Sequence, residues 1–213
     1  MNMIKQTTTA LLSLLLALTV SKAMAAIEEP TYRVLEQSGA FELREYEPKI
    51  VAEVSVPGNM KQASNAGFRL IADYIFGNNT SQQGRAEKIA MTTPVTMEPQ
   101  GPSEKISMTA PVTMEQTDKE WRVHFVMPNK YTLESLPTPN NSSVKLRQLP
   151  KSNFAVIRFS GFAGSRKVAA MTKQLEDWLK SKNIKPTGSM ELSRYDPPWT
   201  LPFLRRNEVM VSY

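Results

Sequence analysis

Very few residues in this chain can do chemistry. His124 is the single histidine in 213 residues, and there is no cysteine. A zinc site of the usual Cys/His kind cannot be built from that inventory. His124 also lacks the surroundings of a triad base, since Gly-x-Ser-x-Gly does not occur. No glycine-rich phosphate loop opens a helix. Glu42, Glu45 and Glu47 follow one strand and its turn and read as a solvated strand face. The residue in excess is methionine, with 12 copies. An unbranched, polarizable thioether adapts to irregular apolar surfaces, so a Met-rich lining suits a flat aromatic guest, although any one of them can equally be a core filler.

Four of those methionines sit in a repeated segment. Residues 88–98 read Lys-Ile-Ala-Met-Thr-Thr-Pro-Val-Thr-Met-Glu, and residues 105–115 repeat nine of the eleven types. Ile, Thr and Val give strand character, while Pro94 and Pro111 remove a ladder donor and belong at an edge, a bulge or a strand start. The two copies read as strands of a hairpin joined through Glu98–Ser103.

Around these segments the chain alternates strand and helix patterns. Tyr32–Glu36 and Phe41–Tyr46 read as strands about the Gln37-Ser38-Gly39 turn. In Ile50–Val56, Ile50, Ala52, Val54 and Val56 share one face. Asn59 can cap a helix running to about Phe76, with Met60, Ala63, Gly67, Leu70, Ile71 and Tyr74 as its buried stripe and Gly77 as its stop. In Trp121–Met127, His124 points with Arg122 and Val126 away from Trp121, Val123 and Phe125, which makes it an exposed or barrel-facing residue. The Pro/Asn/Ser-rich loop Leu136–Ser143 marks the midpoint. Past it the order recurs: strands at Val144–Leu149 and Asn153–Phe159, a helix from a Ser165 cap to about Lys182 with Val168, Met171, Leu175, Trp178 and Leu179 inward, then strands at Met190–Tyr195 and Glu208–Val211. One antiparallel sheet system carrying two helices satisfies both apolar stripes, and curling it removes exposed edges.

The bulk properties set limits on partners and location. Residues 10–20 form an apolar run after Lys5, followed by Ala23-Met24-Ala25, so residues 1–25 read as a secretory signal peptide cleaved after Ala25 and residues 26–213 as a single domain. The apolar run is shorter than the ~20 residues of a membrane span. Removing Lys5 and Lys22 lowers the formal charge from +6 to about +4. No basic run with interleaved aromatics occurs, so nucleic acid is not an expected partner. Export without cysteine points to a bacterial periplasm, with packing rather than disulfides holding the fold.

Several motifs taken together resemble one family. Phe41-Glu-Leu-Arg-Glu-Tyr-Glu-Pro48, the Lys-Ile-x-Met-Thr-x-Pro-Val-Thr segments, Phe125-Val-Met-Pro128, Arg194-Tyr-Asp-Pro-Pro198 and Arg205-Arg-Asn-Glu-Val209 run in the order found in the SOUL haem-binding family. The resemblance spans roughly residues 32–213. It implies an α+β fold: a pseudo-twofold, distorted antiparallel β-barrel flanked by two α-helices. It implies reversible binding of haem or another tetrapyrrole in an apolar cleft beside the first helix, without catalysis. The residues it assigns to that cleft are Met60, Ala63, Gly67, Phe68, Ile71 and Ala72, with Arg69 as a propionate partner and Pro197, Pro198, Trp199 and Phe203 as a closing loop. No axial ligand can be carried over, because Glu45 stands where one branch of the family has a proposed histidine. Asn65 and Asp73 stand where another branch has basic residues. The alternatives are an enzyme that removes iron from haem, with Glu45 or Asp73 as its acid, and a binder of some other apolar molecule or of a protein.

Overall fold

The computed structural model describes residues 27–100 and 120–213. Within them, eleven strands and two helices alternate: β1 (Tyr32–Ser38), β2 (Phe41–Tyr46), β3 (Lys49–Pro57), α1 (Met60–Ile75), β4 (Asn79–Thr80), β5 (Val95–Gln100), β6 (Glu120–Val126), β7 (Thr138–Pro139), β8 (Lys145–Leu149), β9 (Ser152–Phe159), α2 (Ser165–Ser181), β10 (Glu191–Arg194) and β11 (Asn207–Ser212). Nine strands form one antiparallel sheet in the order β1-β2-β9-β11-β10-β5-β6-β3-β8, and the short β4 and β7 pair separately. Two helices on a large curled antiparallel sheet make an α+β half-barrel.

The order has an internal twofold between β10 and β5. Reading outward from that line, β10, β11 and β9 on one side match β5, β6 and β3 on the other, and β2 matches β8. Each half therefore runs strand, strand, helix, strand, strand. The first strand of each half pairs with the other half: β2 lies against β9, and β8 lies against β3. Two residues, Glu47-Pro48, carry the chain from β2 to β3, and Pro150-Lys151 do the same from β8 to β9. These prolines cannot extend a ladder, so the chain leaves one edge of the sheet and restarts on the other.

Both helices lie on the same face. α1 packs on β3 and β6, and α2 packs on β9 and β11. Asn59 caps α1, its Oδ1 accepting from the amides of Lys61 and Gln62 while Gln62 returns a bond to the Asn59 amide. Gly77 follows the helix at φ +121°, a backbone state that favours glycine. The inward stripes are as the periodicity predicts: Ala63, Gly67, Ile71 and Tyr74 on α1, and Met171, Leu175 and Leu179 on α2, meet Ala52, Val54, Val123, Phe125, Ala155, Ile157, Val209 and Val211 of the sheet. Trp178 stacks on Phe41 with ring centroids 5.0 Å apart. The cap of α2 differs from expectation. Gly164 takes the N-cap position with no side-chain bond, and Ser165 is the first helical residue.

The repeated segment also differs. In the first copy only Val95–Glu98 is strand, and residues 88–94 are irregular. Thr92 Oγ1 donates to the Val126 carbonyl instead of facing a ladder partner. β5 lies between β6 and β10. Residues 105–115, like the signal-peptide segment, lie outside the described residues.

The opposite face of the sheet, turned inward, mixes buried polar groups with a small apolar cluster of Tyr46, Phe154, Val156 and Met210. Arg44, His124, Ser193 and Glu208 are buried there, at 1 %, 5 %, 0 % and 0 % exposure. Arg44 forms a two-pronged bond to Glu208 at 2.8 and 3.0 Å, and Glu208 also accepts from Tyr195 at 2.8 Å and Arg206 at 2.9 Å. Burial pushes the Glu208 carboxyl up, but Arg44's hydrogen bonds and charge, with Arg206, hold it below the usual carboxylate range. Lys49 of β3 reaches Tyr46 of β2 and Phe154 of β9, with its ammonium 4.3 and 5.9 Å from the ring centroids. That reach between strands distant in the sheet order shows how far the sheet curls.

Candidate ligand-binding site

α1 divides into a buried face and an open one. Ala63 and Ile71 are fully buried in the core between helix and sheet, and Ala72 is 6 % exposed. Gly67 is buried too. A Cβ there would lie 2.6 Å from two side-chain carbons of Val123, so glycine allows the close approach of α1 to β6. Met60 is half-buried, and Phe68 is 39 % exposed with its ring 5.6 Å from that of Phe125. Arg69 is exposed. Of the seven helix residues expected in the cleft, Met60, Phe68 and Arg69 are open to an incoming molecule.

The loop between β10 and β11 is unusually apolar at its surface. Trp199 is 82 % exposed, Phe203 71 %, Leu204 63 % and Leu201 56 %, and Phe162 of the turn before α2 adds 68 %. These side chains belong to one surface. The Gly161 amide donates to the Pro202 carbonyl at 2.9 Å. Arg205 donates to the carbonyls of Thr200 and Pro198 and lies 5.0 Å from the Phe162 ring centroid. Phe162, Leu201 and Leu204 were not among the expected residues. The only sequence signal for them was apolar character inside turns, where solvent-facing polar residues are the norm.

One side chain ties this loop surface to α1. Arg194, at the end of β10, donates to Ser64 Oγ at 2.5 Å and to the Ala163 carbonyl at 3.3 Å. Ser64 and Phe68 are one turn apart on α1, hence on the same face. Phe68 therefore stands one helical turn from the bond that holds the Ala163 turn. The bonds that tie this loop to the Gly161–Ala163 turn come from Pro202 and Arg205; no bond joins Trp199 or Phe203 to α1 among the described residues.

Two partly open cavities lie elsewhere on the described residues. A cavity of about 160 Å³ lies between the helices, lined by Met60, Met97, Trp121, Val168, Leu192 and Val209. That is below the ~300 Å³ at which ligand pockets begin, and a tetrapyrrole is larger than a small drug. A second cavity of about 390 Å³ lies by Lys49, Asn129, Tyr131 and Gln148, away from every expected cleft residue. His124 faces the inner side of the sheet, buried, as the alternation predicts for a barrel-facing residue. Burial, with the charges of Lys49, Arg147 and Arg122, pushes its pKa down to about 3, so it is neutral. No group of three or more His, Cys, Asp or Glu among the described residues could hold a metal ion. No described helix is long and apolar enough to cross a membrane.

None of the curated proteins matches the chain by sequence. Solved structures match it in fold. The C-terminal domain of EcmrR is 14% identical with a TM-score of 0.56, over 85% of this chain and 96% of that one. A hydrolase from Listeria innocua is 10% identical with a TM-score of 0.52, over 83% and 93%. An uncharacterized conserved protein from Listeria innocua is 9% identical with a TM-score of 0.51, over 88% and 93%. At these identities the likeness is one of fold alone. The family profile described as "SOUL heme-binding protein" matches residues 27–103 and 98–212, and the chain belongs to that family.

Proposed function

We propose that this protein binds haem or a related tetrapyrrole, without turning it over, on the apolar surface formed by Phe162, Trp199, Leu201, Phe203 and Leu204 beside Phe68 of α1. The observation that carries the reading is the exposure of these side chains together, on a surface stitched by Arg205 and Arg194. Contiguous apolar patches of this kind mark interaction sites. Family membership supplies the ligand class.

The donor set fits a porphyrin gripped by its faces better than one hung from its iron. There is no cysteine in the chain, and the sole histidine is buried on the inner face of the sheet. Aromatic rings and leucines offer the dispersion and desolvation that a flat macrocycle needs. Arg69 on α1 and Arg166 and Lys167 at the start of α2 are exposed cations near the rim, where carboxylates of the ring can meet them. The iron, when present, supplies redox chemistry; these residues supply only attachment and orientation. The apolar run at residues 10–20 and Ala23-Met24-Ala25 support a periplasmic setting for the role.

The test is a titration of the purified protein with haemin and, separately, with metal-free protoporphyrin. Both are expected to give saturable spectral changes at micromolar ligand and with similar affinity. Trp199→Ala should weaken both by about tenfold, matching the ~1.4 kcal/mol per decade of affinity that one uncovered aromatic can supply. Absence of any Soret change, or an unaltered affinity in Trp199→Ala, overturns the reading. Release of free iron or metal-free porphyrin on incubation with haem would replace it with an enzymatic one.

A further inference from the structure

We propose that the apolar loop surface also seats the protein on an anionic phospholipid bilayer. Phe162, Trp199, Leu201, Phe203 and Leu204 enter the headgroup level, and Arg166, Lys167 and Arg205 face the phosphates. This role goes beyond tetrapyrrole binding: the same side chains serve, but no bound ligand is needed.

Shape favours a flat, yielding partner. The five large apolar side chains are 56 % to 82 % exposed, so they stand clear of the protein instead of lining a cleft. None of them lines either cavity. Their types suit the boundary between water and hydrocarbon, where tryptophan is enriched and phenylalanine and leucine bury themselves against acyl chains. The backbone beneath them is braced. The Pro202 carbonyl accepts from the amides of Gly161 at 2.9 Å and Arg205 at 3.1 Å, and a short helical turn, Pro202–Leu204, carries Phe203 and Leu204. A braced loop has little ordering to undergo on contact.

Charge favours an anionic one. Residues 161–175 and 197–207 contain no Asp or Glu, and they carry Arg166, Lys167, Lys173, Arg205 and Arg206. The neighbouring Asp196 is turned to the backbone, accepting from the Arg206 amide at 2.6 Å. Two of the five cations are committed: Lys173 pairs with Asp177, and Arg206 with Glu29 and Glu208. Arg166, Lys167 and Arg205 have no carboxylate partner among the described residues. Arg205 lies 5.0 Å from the Phe162 ring centroid, and Arg166 and Lys167 follow Phe162 by four and five residues in the first turn of α2. Apolar projections flanked by unpaired cations complement the layering of a bilayer, hydrocarbon beneath phosphate. Each such cation should strengthen binding to an anionic leaflet about fivefold.

Trp199 supplies its own reporter. Protein recovered from cells is mixed, without porphyrin, with vesicles whose acyl chains carry bromine, made of phosphatidylcholine alone or of phosphatidylcholine and phosphatidylglycerol in equal parts. Bromine quenches only tryptophans at the bilayer. Trp121 and Trp178 are half-buried in the fold, and attachment through residues 10–20 would leave Trp199 bright. Saturable quenching is expected with phosphatidylglycerol, and it should disappear in Trp199→Phe. Phe203→Ser should weaken binding about tenfold or more, and Arg166→Gln and Lys167→Gln about fivefold each. Raising salt from about 0.1 M to about 1 M, which shortens the screening length from ~10 to ~3 Å, should release most of the protein. Quenching that is absent with phosphatidylglycerol, equally strong on phosphatidylcholine alone, or retained in Trp199→Phe overturns the proposal, as does unchanged binding in Phe203→Ser. Because no porphyrin is present, failure here leaves the tetrapyrrole reading standing, and a failed haemin titration leaves the vesicle result standing.

Discussion

Replacing Gly67 with alanine tests how α1 is seated. In an open helix interior this change stabilises by about 1 kcal/mol, because alanine loses less backbone freedom on folding. Here the new Cβ would meet Val123 Cβ and Cγ2 at 2.6 Å and Cγ1 at 3.0 Å. Val123 is fully buried on β6, between β3 and β5, and the atoms it presents are the root of a stiff side chain, not a flexible tip. Overpacking of this kind costs about 1–3 kcal/mol. The clash outweighs the propensity gain, so Gly67→Ala should lose about 1–2 kcal/mol net. Urea unfolding followed by circular dichroism would show a lower midpoint at unchanged slope. Val123→Ala removes both γ carbons but leaves Cβ, also at 2.6 Å, in place, so the clash is relieved only in part and the double variant should be more stable than the sum of the two single changes by about 0.5–1 kcal/mol. A Gly67→Ala protein more stable than its parent, or strict additivity in the double variant, would refute the close approach of α1 to β6.

Other perturbations follow from the same structure. Arg44→Met removes the two-pronged partner of the Glu208 carboxylate, which keeps Arg206 and Tyr195, and should cost about 2–3 kcal/mol, roughly 5–10 °C in melting temperature at this chain length; a loss under ~1 kcal/mol would contradict the importance of that pair. His124 stays neutral in the fold down to about 3 but protonates near 6.5 when unfolded. Its contribution is therefore intact above pH 6.5 and declines as pH falls toward 3, by up to about 1.4 kcal/mol per unit, and His124→Gln should flatten that acid limb of a melting-temperature profile. Glu191 behaves oppositely: its folded value of about 8 lies above the ordinary 4.5, so stability is full below 4.5 and erodes as pH rises toward 8, an erosion that Glu191→Gln should remove. If residues 1–25 are cleaved as expected, the intact mass of periplasmic protein will correspond to a chain starting at Ala26; a mass including Lys5 would refute it.

Much of the architecture was legible because period and punctuation agreed. Ile50–Val56 alternates, its apolar face meets a helix whose stripe has helical spacing, and Asn59 and Gly77 bound that helix where capping chemistry requires. The duplication was also visible, as two rounds of the same element order. The pairing was not. Alternation says which way Leu43 or Ala155 points, but it does not say that β2 lies against β9 more than a hundred residues away. In the first copy of the repeated Lys-Ile-x-Met-Thr segment, strand-forming residues suggested strand throughout, whereas only Val95–Glu98 joins the sheet, between β6 and β10. At the site, Ala63 and Ile71 lie on a helix that the family resemblance assigns to a cleft, but they face the sheet; only the helical phase against a known partner separates lining from core. Phe162 and Leu204 were invisible for the opposite reason, since an apolar residue in a turn has no periodicity to announce it.

The strand exchange between the halves has a kinetic meaning. Neither half can complete its own sheet: β9 needs β2, made early, and β3 needs β8, made late. An emerging chain that has produced only its first helix holds a hairpin with one ladder edge empty and a third strand with the same deficiency. It must stay unfinished until nearly all of the polypeptide has been delivered. For a chain that would have to cross a membrane before it folds, this is a useful property, because the topology itself postpones closure until the last strands arrive.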